Sequence, residues 1–585
     1  MRPWLHRFLT TTALAAIPVF SICCFAPLTI YAGNAAEFWT SFPQVIGAFL
    51  PYAVTLTVAL GVLGLLMTEE GLHRYRATLC ALAILLWLQG NILVWDYGVL
   101  DGSEIEWMSG AWRGVLDLAI WVAVLLTAIY AYQRSGRILL MGAAATLLIQ
   151  LVAAATTLIS NPAILYTTNV ALHTAGRDAV MRFSATSNIV HIVMDGFQSD
   201  IFAEIIADTS ERNLQADLQG FTYFDQNLGA YPYTQLTVPA MLSGKLFNND
   251  VPVDEFIGDV MRGNTIVNTA FAAGYEVDIA APISLINVYN QGRYTNAYGI
   301  SSSGHVDVAD YVRVDAAKLM DLALFRVVPH VGKALVYRDA LWVFQASAHA
   351  EAYLQMQYFS DLAFLDELAE GMSVDRDVPV YKMIHVMLSH RPFVGNEQCE
   401  FSGRKSGSRE NVRTHARCGL LRVLDVLQRM KELGIYKSSL IVLMADHGAW
   451  VPVENLAASD VVKPLTVAMA TPMLAIKPPG ADNDFQTSNV PSSVVDVPAT
   501  IADLAGFNGQ FDGMALFSVA ADAPRKRQHR VYGYGINPAA VGYLFPMQEY
   551  VIDGSPYDSR AWQKGRRYLP GGTADDTADV GRNQN

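Results

Sequence analysis

Five long apolar runs dominate the first 160 residues, at 8–31, 44–67, 77–99, 115–133 and 138–160. Each is close to the ~20 residues that a helix needs to cross a bilayer. The pattern therefore predicts a transmembrane domain of five α-helices over residues 1–160. The first run follows Arg2 and Arg7 and lacks a clear small-residue cleavage site, so we interpret it as a membrane anchor rather than a signal peptide.

The charges between these runs predict an orientation. Basic residues collect before the first run and in the segments 68–76 and 134–137, whereas 32–43 and 100–114 are mainly acidic. Loops rich in Lys and Arg stay in the cytoplasm. The N-terminus is then cytoplasmic, and five crossings would place everything after residue 160 on the outer side of the membrane.

After residue 160 the pattern changes to alternating strand-like and helix-like runs. This rhythm is typical of an α/β domain, here with a central, mostly parallel sheet and a small C-terminal sheet. We predict a linker at 161–187 with an interfacial helix at 166–183, and a catalytic domain at 188–525. C-terminal strands would follow at 526–569, with a disordered tail at 570–585.

Composition narrows the class of protein. The chain is 52% hydrophobic, with the excess in its first 160 residues, and its net charge of −13 argues against nucleic-acid binding. Three cysteines lie in apolar segments, so only Cys399 and Cys418 are left for the predicted soluble domain. These two would form a disulfide in an oxidising compartment or remain two unpaired thiols, and the sequence favours neither.

Polar residues that suit chemistry follow three of the predicted strands. Asp195 comes after 188–194, His390 after 380–388, and the pair Asp446-His447 after 439–445. Catalytic groups in open α/β sheets collect beyond the carboxyl ends of strands. One Asp at such a place is more often a turn residue, but Asp, His and Asp-His at three strand ends favour a common site.

Thr234 is the candidate nucleophile. It precedes an apolar run that ends at Gly244, which suits the N-terminus of a helix. That end presents free N–H groups and partial positive charge to an anionic phosphoryl group. Taken alone, such a stretch is more often a Ser/Thr-rich helix cap than a site of chemistry.

Together these residues resemble the alkaline phosphatase and sulfatase superfamily. The resemblance is to its membrane-bound branch, with lipoteichoic acid synthase and the lipid A phosphoethanolamine transferases. Asp195-Gly-Phe-Gln198 stands where the synthases have Glu-Ser-Phe-Gln, and Thr234 matches the nucleophilic threonine of the transferases. Ser389-His390-Arg-Pro392 resembles their Ser-His-Gly-Pro, and Asp446-His447-Gly448 matches their metal-binding Asp-His-Gly.

The resemblance implies a metal-dependent phosphotransferase of the bacterial inner membrane with a periplasmic catalytic domain. The enzyme would move a phosphoglycerol or phosphoethanolamine headgroup from a phospholipid to an envelope glycan or lipid through phospho-Thr234. The implied roles are metal ligation by Asp195, Thr234, Asp446 and His447, catalysis by Thr234 and His390, and substrate binding by His390 and Arg391. Oxygen and nitrogen ligands suit one Zn²⁺ or Mn²⁺ ion.

Alternatives stay open. One is a sulfatase-like hydrolase or phosphodiesterase that uses water as acceptor, and another is an envelope scaffold without activity. The sequence lacks the Cys or Ser followed by x-Pro-Ser-Arg that sulfatases convert to formylglycine, so sulfate hydrolysis by that route is not expected. The His-containing segment that follows Asp-His-Gly in the transferases is also absent, which argues against a second metal and an ethanolamine headgroup.

Overall fold

The computed structural model describes residues 2–35, 38–95, 97, 105, 107–166, 176–208, 213–300, 308–338, 342–347, 350–520, 523–533, 542–572 and 574–575. The chain divides into two compact units. We call Met1–Ala171 with His305–Tyr353 the helical unit, and Leu172–Gly304 with Leu354–Asn585 the sheet unit.

The described helices, in chain order, are α1 Pro3–Gly33 (with a π-helical turn at Ser21–Phe25), α2 Phe42–Leu63, α3 Glu69–Asn91, α4 Ala111–Tyr130, α5 Tyr132–Ser160, α6 Arg177–Val180, α7 Ser199–Ala207, α8 Leu214–Asp217, α9 Thr234–Ser243, α10 Val253–Arg262, α11 Ile266–Ala272, α12 Ile283–Tyr289, α13 Val308–Val327, α14 His330–Tyr337, α15 Val343–Ser347, α16 Ala350–Gly371, α17 Arg409–Glu432, α18 Pro464–Ala470 and α19 Val497–Ala505.

The described strands are β1 Arg182–Ser184, β2 Asn188–Met194, β3 Thr222–Phe224, β4 Glu276–Ala281, β5 Asn296–Gly299, β6 Ser373–Arg376, β7 Val380–Val386, β8 Phe393–Gly395, β9 Phe401–Lys405, β10 Leu440–Met444, β11 Leu474–Lys477, β12 Gln486–Ser488, β13 Lys526–Val531, β14 Met547–Asp553, β15 Trp562–Tyr568 and β16 Ala574–Asp575.

Four described helices of the helical unit are long and apolar enough to cross a membrane, namely α1, α2, α4 and α5. The predicted span at 77–99 is not among them, so five spans are not confirmed. Its helix, α3, begins at Glu69 and carries Arg74 and Arg76 in its first turns. Much of its apolar second half is buried against neighbouring helices. A helix surrounded by other helices does not need the hydropathy of one that faces lipid.

Helices α13–α15 lie within the sequence between β5 and β6 but belong to the helical unit. Two buried acids hold them there. Asp315 of α13 accepts hydrogen bonds from the backbone N–H groups of Trp39 and Thr40, at 2.9 and 2.8 Å. Asp117 of α4 accepts one from the N–H of His330, the first residue of α14, at 3.0 Å. The outcome is an insertion that packs with the apolar helices.

An eight-stranded mixed sheet forms the centre of the sheet unit, in the order β12-β3-β11-β10-β2-β7-β4-β5. Neighbours from β10 to β5 are parallel, whereas β11 is antiparallel to both β10 and β3. Strand β12 is parallel to β3, so five of the seven strand pairs are parallel and the sheet as a whole is mixed rather than parallel throughout. Every residue of β2, β7 and β10 is buried, which explains their continuous apolar runs.

Smaller elements complete the sheet unit. A four-stranded antiparallel sheet, β13-β14-β15-β16, lies in the C-terminal part. The predicted interfacial helix at 166–183 is wrong over its second half, because only Arg177–Val180 is helical and Arg182–Ser184 pairs as a strand with β6. Residues 167–175 lie outside the described residues, and so does most of the predicted disordered tail, 573 and 576–585.

Candidate active site

Sheet topology brings two of the predicted polar strand ends together. Strands β2 and β10 are parallel neighbours in which Val193 lies opposite Met444. Asp195 and Asp446 each follow two residues later, so both carboxylates emerge at the same level of the sheet edge. Asp446 Oδ1 also accepts a hydrogen bond from the N–H of Gly196, at 3.2 Å. The two loops are therefore tied to each other.

Thr234 is the first residue of α9, as the apolar run after it predicted. Its hydroxyl donates to Asp195 Oδ2 at 3.2 Å and lies 3.4 Å from His447 Nε2. The helix ends at Gly244, which has a φ of 80° that suits glycine. Thr234 thus combines a hydroxyl beside a carboxylate with the positive end of a helix.

Asp195, Asp446 and His447 form a buried group that could hold a cation. One ligand atom from each lies within 4.8 Å of the others. His447 Nε2 is 3.5 Å from Asp195 Oδ1 and 3.5 Å from Asp446 Oδ2, and both of these carboxylate oxygens are buried without a hydrogen-bond partner. Two orphaned anionic oxygens that face an imidazole nitrogen fit a divalent metal.

The orientation of the His447 ring supports this fit. Its Nδ1 lies 2.9 Å from the carbonyl oxygen of Gly448. When Nδ1 carries the proton and donates it to that carbonyl, Nε2 presents its lone pair to the carboxylates, as a metal-binding imidazole does. Two carboxylates, this nitrogen and the Thr234 hydroxyl make the oxygen and nitrogen set that suits Zn²⁺ or Mn²⁺.

Neighbouring charges shift the pKa values of Asp195 and His447 in the direction opposite to the effect of burial. Burial by itself would raise the pKa of Asp195, but the hydrogen bond from His385 and the charges of His390 and His447 outweigh it and lower the pKa. For His447, burial would lower the pKa, and the carboxylates of Asp446 and Asp195 raise it instead. Asp195 is therefore ionised at neutral pH and available as a ligand.

His385 is a site residue that the sequence did not reveal. We interpreted it as a satisfied strand residue, yet its Nε2 lies 3.3 Å from Asp195 Oδ2 and its Nδ1 lies 2.7 Å from the hydroxyl of Tyr289. It reaches Asp195 because β7 pairs with β2 and places His385 opposite Val193. Only knowledge of that pairing would have identified it.

His390 and Arg391 lie at the end of the same strand. His390 Nδ1 is 2.8 Å from the carbonyl oxygen of Arg391, and its charge contributes to lowering the pKa of Asp195. The Arg391 guanidinium lies 5.6 Å from the ring centroid of Trp450, and Trp450 packs edge-on against Tyr233 at 5.6 Å. Arg391 makes no ion pair with any residue that the structure describes. Through Trp450, Arg391 is therefore connected to Tyr233, the residue before Thr234.

Cys399 and Cys418 form a disulfide. Cys399 lies in the turn between β8 and β9, and Cys418 lies within α17. The bond attaches the segment that follows His390 and Arg391 to a long helix of the sheet unit.

A buried acid close to the site predicts a pH effect. Asp361 of α16 accepts a hydrogen bond from the N–H of Met387 at 2.7 Å, and burial raises its pKa from 3.8 to about 7. Its contribution to stability is complete below pH 4 and is lost as the pH rises through 7. We expect Asp361→Asn to avoid this loss, so the unfolding free energy of the variant relative to wild type should grow by about 2–3 kcal/mol between pH 5 and pH 8.

Urea unfolding of both proteins at several pH values, without added metal, measures this difference. Asp375→Asn is the matched control, because Asp375 pairs with Arg182 at the surface. If the difference in unfolding free energy between Asp361→Asn and wild type does not change with pH, Asp361 keeps its ordinary pKa.

Comparison with known proteins identifies the family. The model of the sulfatase family matches residues 187–507, more than half of the chain. The chain belongs to the sulfatase family. The predicted membership of the alkaline phosphatase and sulfatase superfamily is thereby confirmed. No curated protein sequence matches the chain.

Solved structures of sulfatase-like folds are similar at low identity. The lipoteichoic acid synthase LtaP from Listeria monocytogenes is 12% identical, with 68% of this chain and 88% of that chain covered and a TM-score of 0.38. The phosphonate monoester hydrolase SpPMH from Silicibacter pomeroyi is 14% identical (64% and 91% covered, TM-score 0.37). The C-terminal periplasmic domain of EcEptC from Escherichia coli, in complex with zinc, is 12% identical (64% and 92% covered, TM-score 0.36).

Proposed function

We propose that this sulfatase-family protein is a metal-dependent membrane phosphotransferase. It moves a phospholipid headgroup, phosphoglycerol or phosphoethanolamine, to a hydroxyl of an envelope glycan or lipid. The observation that carries the proposal is the Thr234 hydroxyl, which is hydrogen-bonded to Asp195 beside the group that could hold a metal, at a helix N-terminus. Four candidate membrane spans in the same chain support a lipid as donor.

In the first step Thr234 Oγ1 attacks the headgroup phosphorus and passes its proton to Asp195 Oδ2. The bond between phosphorus and the diacylglycerol oxygen breaks, and that oxygen takes a proton from His390. The backbone N–H groups at the start of α9 stabilise the phosphoryl oxygens. A bound divalent cation would supply Lewis-acid stabilisation of the phosphoryl group and lower the pKa of the Thr234 hydroxyl.

In the second step an acceptor hydroxyl attacks the same phosphorus and gives its proton to His390. The bond from phosphorus to Thr234 Oγ1 breaks, and the threonine recovers its proton from Asp195. His385, between Asp195 and Tyr289, holds the carboxylate in place during both steps. If water were the acceptor, the same residues would release the free headgroup and the protein would be a phosphodiesterase.

The proposed location is the bacterial inner membrane, and the proposal includes α3 as a fifth crossing beside the four candidate spans. Five crossings place the N-terminus in the cytoplasm and the sheet unit in the periplasm. The charges between the apolar runs support this orientation. The disulfide between Cys399 and Cys418 also supports an oxidising compartment. A lipid donor stays in the bilayer, so an anchored enzyme keeps its nucleophile close to its substrate.

The test is the intact mass of the full-length protein after incubation with mixed phospholipids and Zn²⁺ or Mn²⁺. We expect an adduct that maps to Thr234 and is absent from Thr234→Ala, and its mass identifies the headgroup. Diacylglycerol release without an adduct, with free headgroup as the product, would support the phosphodiesterase instead. Neither product nor adduct would contradict a phospholipid donor.

Arg391 is proposed to bind the anionic headgroup or acceptor. We expect Arg391→Gln to raise the KM for phospholipid about tenfold, the loss of one hydrogen bond to a charged group, with little change in kcat. Arg429→Gln is the control, because Arg429 pairs with Glu432 on α17. Steady-state kinetics on mixed micelles measure both values. A fall in kcat at unchanged KM would instead assign Arg391 to the chemical step.

A further inference from the structure

Helix α14, His330–Tyr337, exposes its aliphatic side chains and buries its basic ones. Val331 is 54% exposed and Leu335 is 74% exposed. They are four residues apart and so lie on one face of the helix. His330 and Lys333 are buried instead, at 8% and 3% exposed. A helix whose outer side faces water has the reverse arrangement, because hydration favours charged side chains and disfavours aliphatic ones.

Contacts inside the helical unit hold the two basic side chains inward. Lys333 Nζ donates to the carbonyl oxygen of Phe325 and lies 4.6 Å from the centroid of the Phe325 ring. His330 Nδ1 lies 2.7 Å from the hydroxyl of Tyr97. A lysine at a surface normally extends its long side chain so that the ammonium group reaches water. Since Lys333 points inward, the opposite, aliphatic face is the one that the fold turns outward.

The exposed face of α14 lies beside exposed apolar residues of α4, one of the four candidate spans. A Cβ atom on Gly114 of α4 would be 2.9 Å from the His330 ring and 3.4 Å from the Val331 side chain, so the glycine permits this close approach. The next residue of α4, Val115, is 70% exposed. Exposed apolar side chains of a candidate span and of α14 therefore lie at the same level of the helical unit.

The contact between α14 and α4 is inside the candidate span and not beyond its end. The N–H of His330 donates to Asp117 Oδ2 at 3.0 Å, and α4 begins at Ala111. At 1.5 Å per residue, Asp117 is about 9 Å and Gly114 about 4–5 Å along the helix from its start. In the proposed orientation that start is at the outer surface of the membrane. Interfacial helices lie at this depth, about 5–10 Å into the boundary between headgroups and acyl chains.

Aromatic side chains surround the same level. Trp95 packs against Trp112 with ring centroids 5.3 Å apart, and the exposed Trp112 belongs to the first turn of α4. Further ring contacts, at 5.0–6.3 Å between centroids, connect the segment before α4 to α14 through Tyr97, Trp107, Tyr337 and Trp342. Trp and Tyr are enriched where a membrane meets water. The aromatic residues thus indicate an interface independently of the exposed face of α14.

A second protein is a poor match for this face. Stable interfaces between proteins use about 20–30 residues a side. The exposed aliphatic side chains of α14 are only Val331 and Leu335. Acyl chains need no such area, because each apolar side chain that leaves water contributes in proportion to its own surface.

We propose that α14 is an interfacial membrane helix, with Val331 and Leu335 among the acyl chains of the outer leaflet and the phospholipid bilayer as their partner. The helix comes from the chain between β5 and β6, within the predicted catalytic domain at 188–525. Part of that predicted domain thus returns to the membrane after the apolar runs have ended. The proposal depends on the proposed membrane location and not on headgroup transfer.

Spin-label accessibility in proteoliposomes of phosphatidylglycerol and phosphatidylethanolamine tests this location of α14. A nitroxide is attached to Val331→Cys or Leu335→Cys in the full-length protein. That protein also carries Cys23→Ala, Cys24→Ala and Cys80→Ala, because these three cysteines are free. Molecular oxygen concentrates among acyl chains, whereas a nickel chelate stays in water, so the ratio of the two collision rates distinguishes lipid from water. We expect both labels to have a ratio several-fold higher than a label in water.

Val115→Cys and Val378→Cys are the matched controls. Val115 is an exposed residue of α4, and Val378 is a 41% exposed valine between β6 and β7 of the sheet unit. Val331→Cys should match Val115→Cys. A ratio equal to that of Val378→Cys would overturn the proposal, and so would low collision rates with both reagents, which would show that protein covers the face. Nickel access at Val115 as well would overturn the membrane location itself, and the proposal with it.

Photo-crosslinking of the unsubstituted protein is a second measurement that needs no folded variant. The vesicles contain a phospholipid with a diazirine near the glycerol end of an acyl chain. Trypsin should release the peptides 327–333 and 334–338, which together contain the exposed face of α14. We expect lipid adducts on these two peptides and none on 377–382 from the sheet unit. Adducts on the candidate spans alone would contradict the proposal. None of these readouts depends on Thr234, so a failure of headgroup transfer would leave them unchanged.

Discussion

Thr234→Ala is expected to lower the rate of headgroup transfer by at least about 10³-fold, because the reaction loses its nucleophile. Thr234→Ser keeps a hydroxyl at the same place and should retain a measurable part of the rate. Release of labelled diacylglycerol from phospholipid in mixed micelles measures this activity.

The matched control is Ser243→Ala, which removes a hydroxyl from the last residue of the same helix. Ser243 Oγ donates to the carbonyl oxygen of Pro239 at 2.7 Å and does not contact the site. Its loss should leave the rate within about twofold, since a typical intramolecular hydrogen bond contributes only about 1 kcal/mol to stability. A Thr234→Ala protein that folds and still transfers headgroups at more than a tenth of the wild-type rate would remove Thr234 from the mechanism.

Zn²⁺ or Mn²⁺ is expected to raise the thermal unfolding temperature of the wild-type protein and to restore activity lost in a chelator. Metal that binds only the folded state at 100 times its dissociation constant adds about 2.7 kcal/mol to stability. Asp446→Asn removes one charge from the buried group and should abolish both effects, with a fall in activity of about 10²-fold or more.

Asp200→Asn is the control for this substitution. Asp200 also follows strand β2, a few residues after Asp195. It pairs with Arg409 at 2.9 Å and takes no part in the group that could hold a metal. Calorimetry with and without metal, together with metal analysis of the purified proteins, provides the measurement. Full activity in chelator, or an equal metal effect in Asp446→Asn and wild type, would contradict a metal at this site.

The sequence by itself determined the features that depend on local pattern. Apolar runs predicted a helical region before an α/β domain, and the observed bounds of β2, β7 and β10 lie within a few residues of the predicted runs. The residues after these strands carried the resemblance that led to the sulfatase family. Thr234 began a helix as predicted, because a hydroxyl before an apolar run that ends in glycine is a local signal.

Hydropathy did not determine the number of membrane spans, and the fifth predicted span is not confirmed. It predicted a span at 77–99, but α3 begins earlier, at Glu69, and is covered by its neighbours. A window of sequence cannot distinguish burial against protein from burial in lipid, since both favour apolar side chains.

Only the tertiary structure decided the features that depend on pairing between distant segments. Strand order placed Asp446 beside Asp195, His385 against the Asp195 carboxylate, and β11 antiparallel to its neighbours. It also assigned α13–α15 to the helical unit and so brought Arg326 to Gly90 and Thr29. The reason is physical: hydrophobic periodicity records that a residue is buried, whereas the partner it meets is chosen by contacts far apart in the chain.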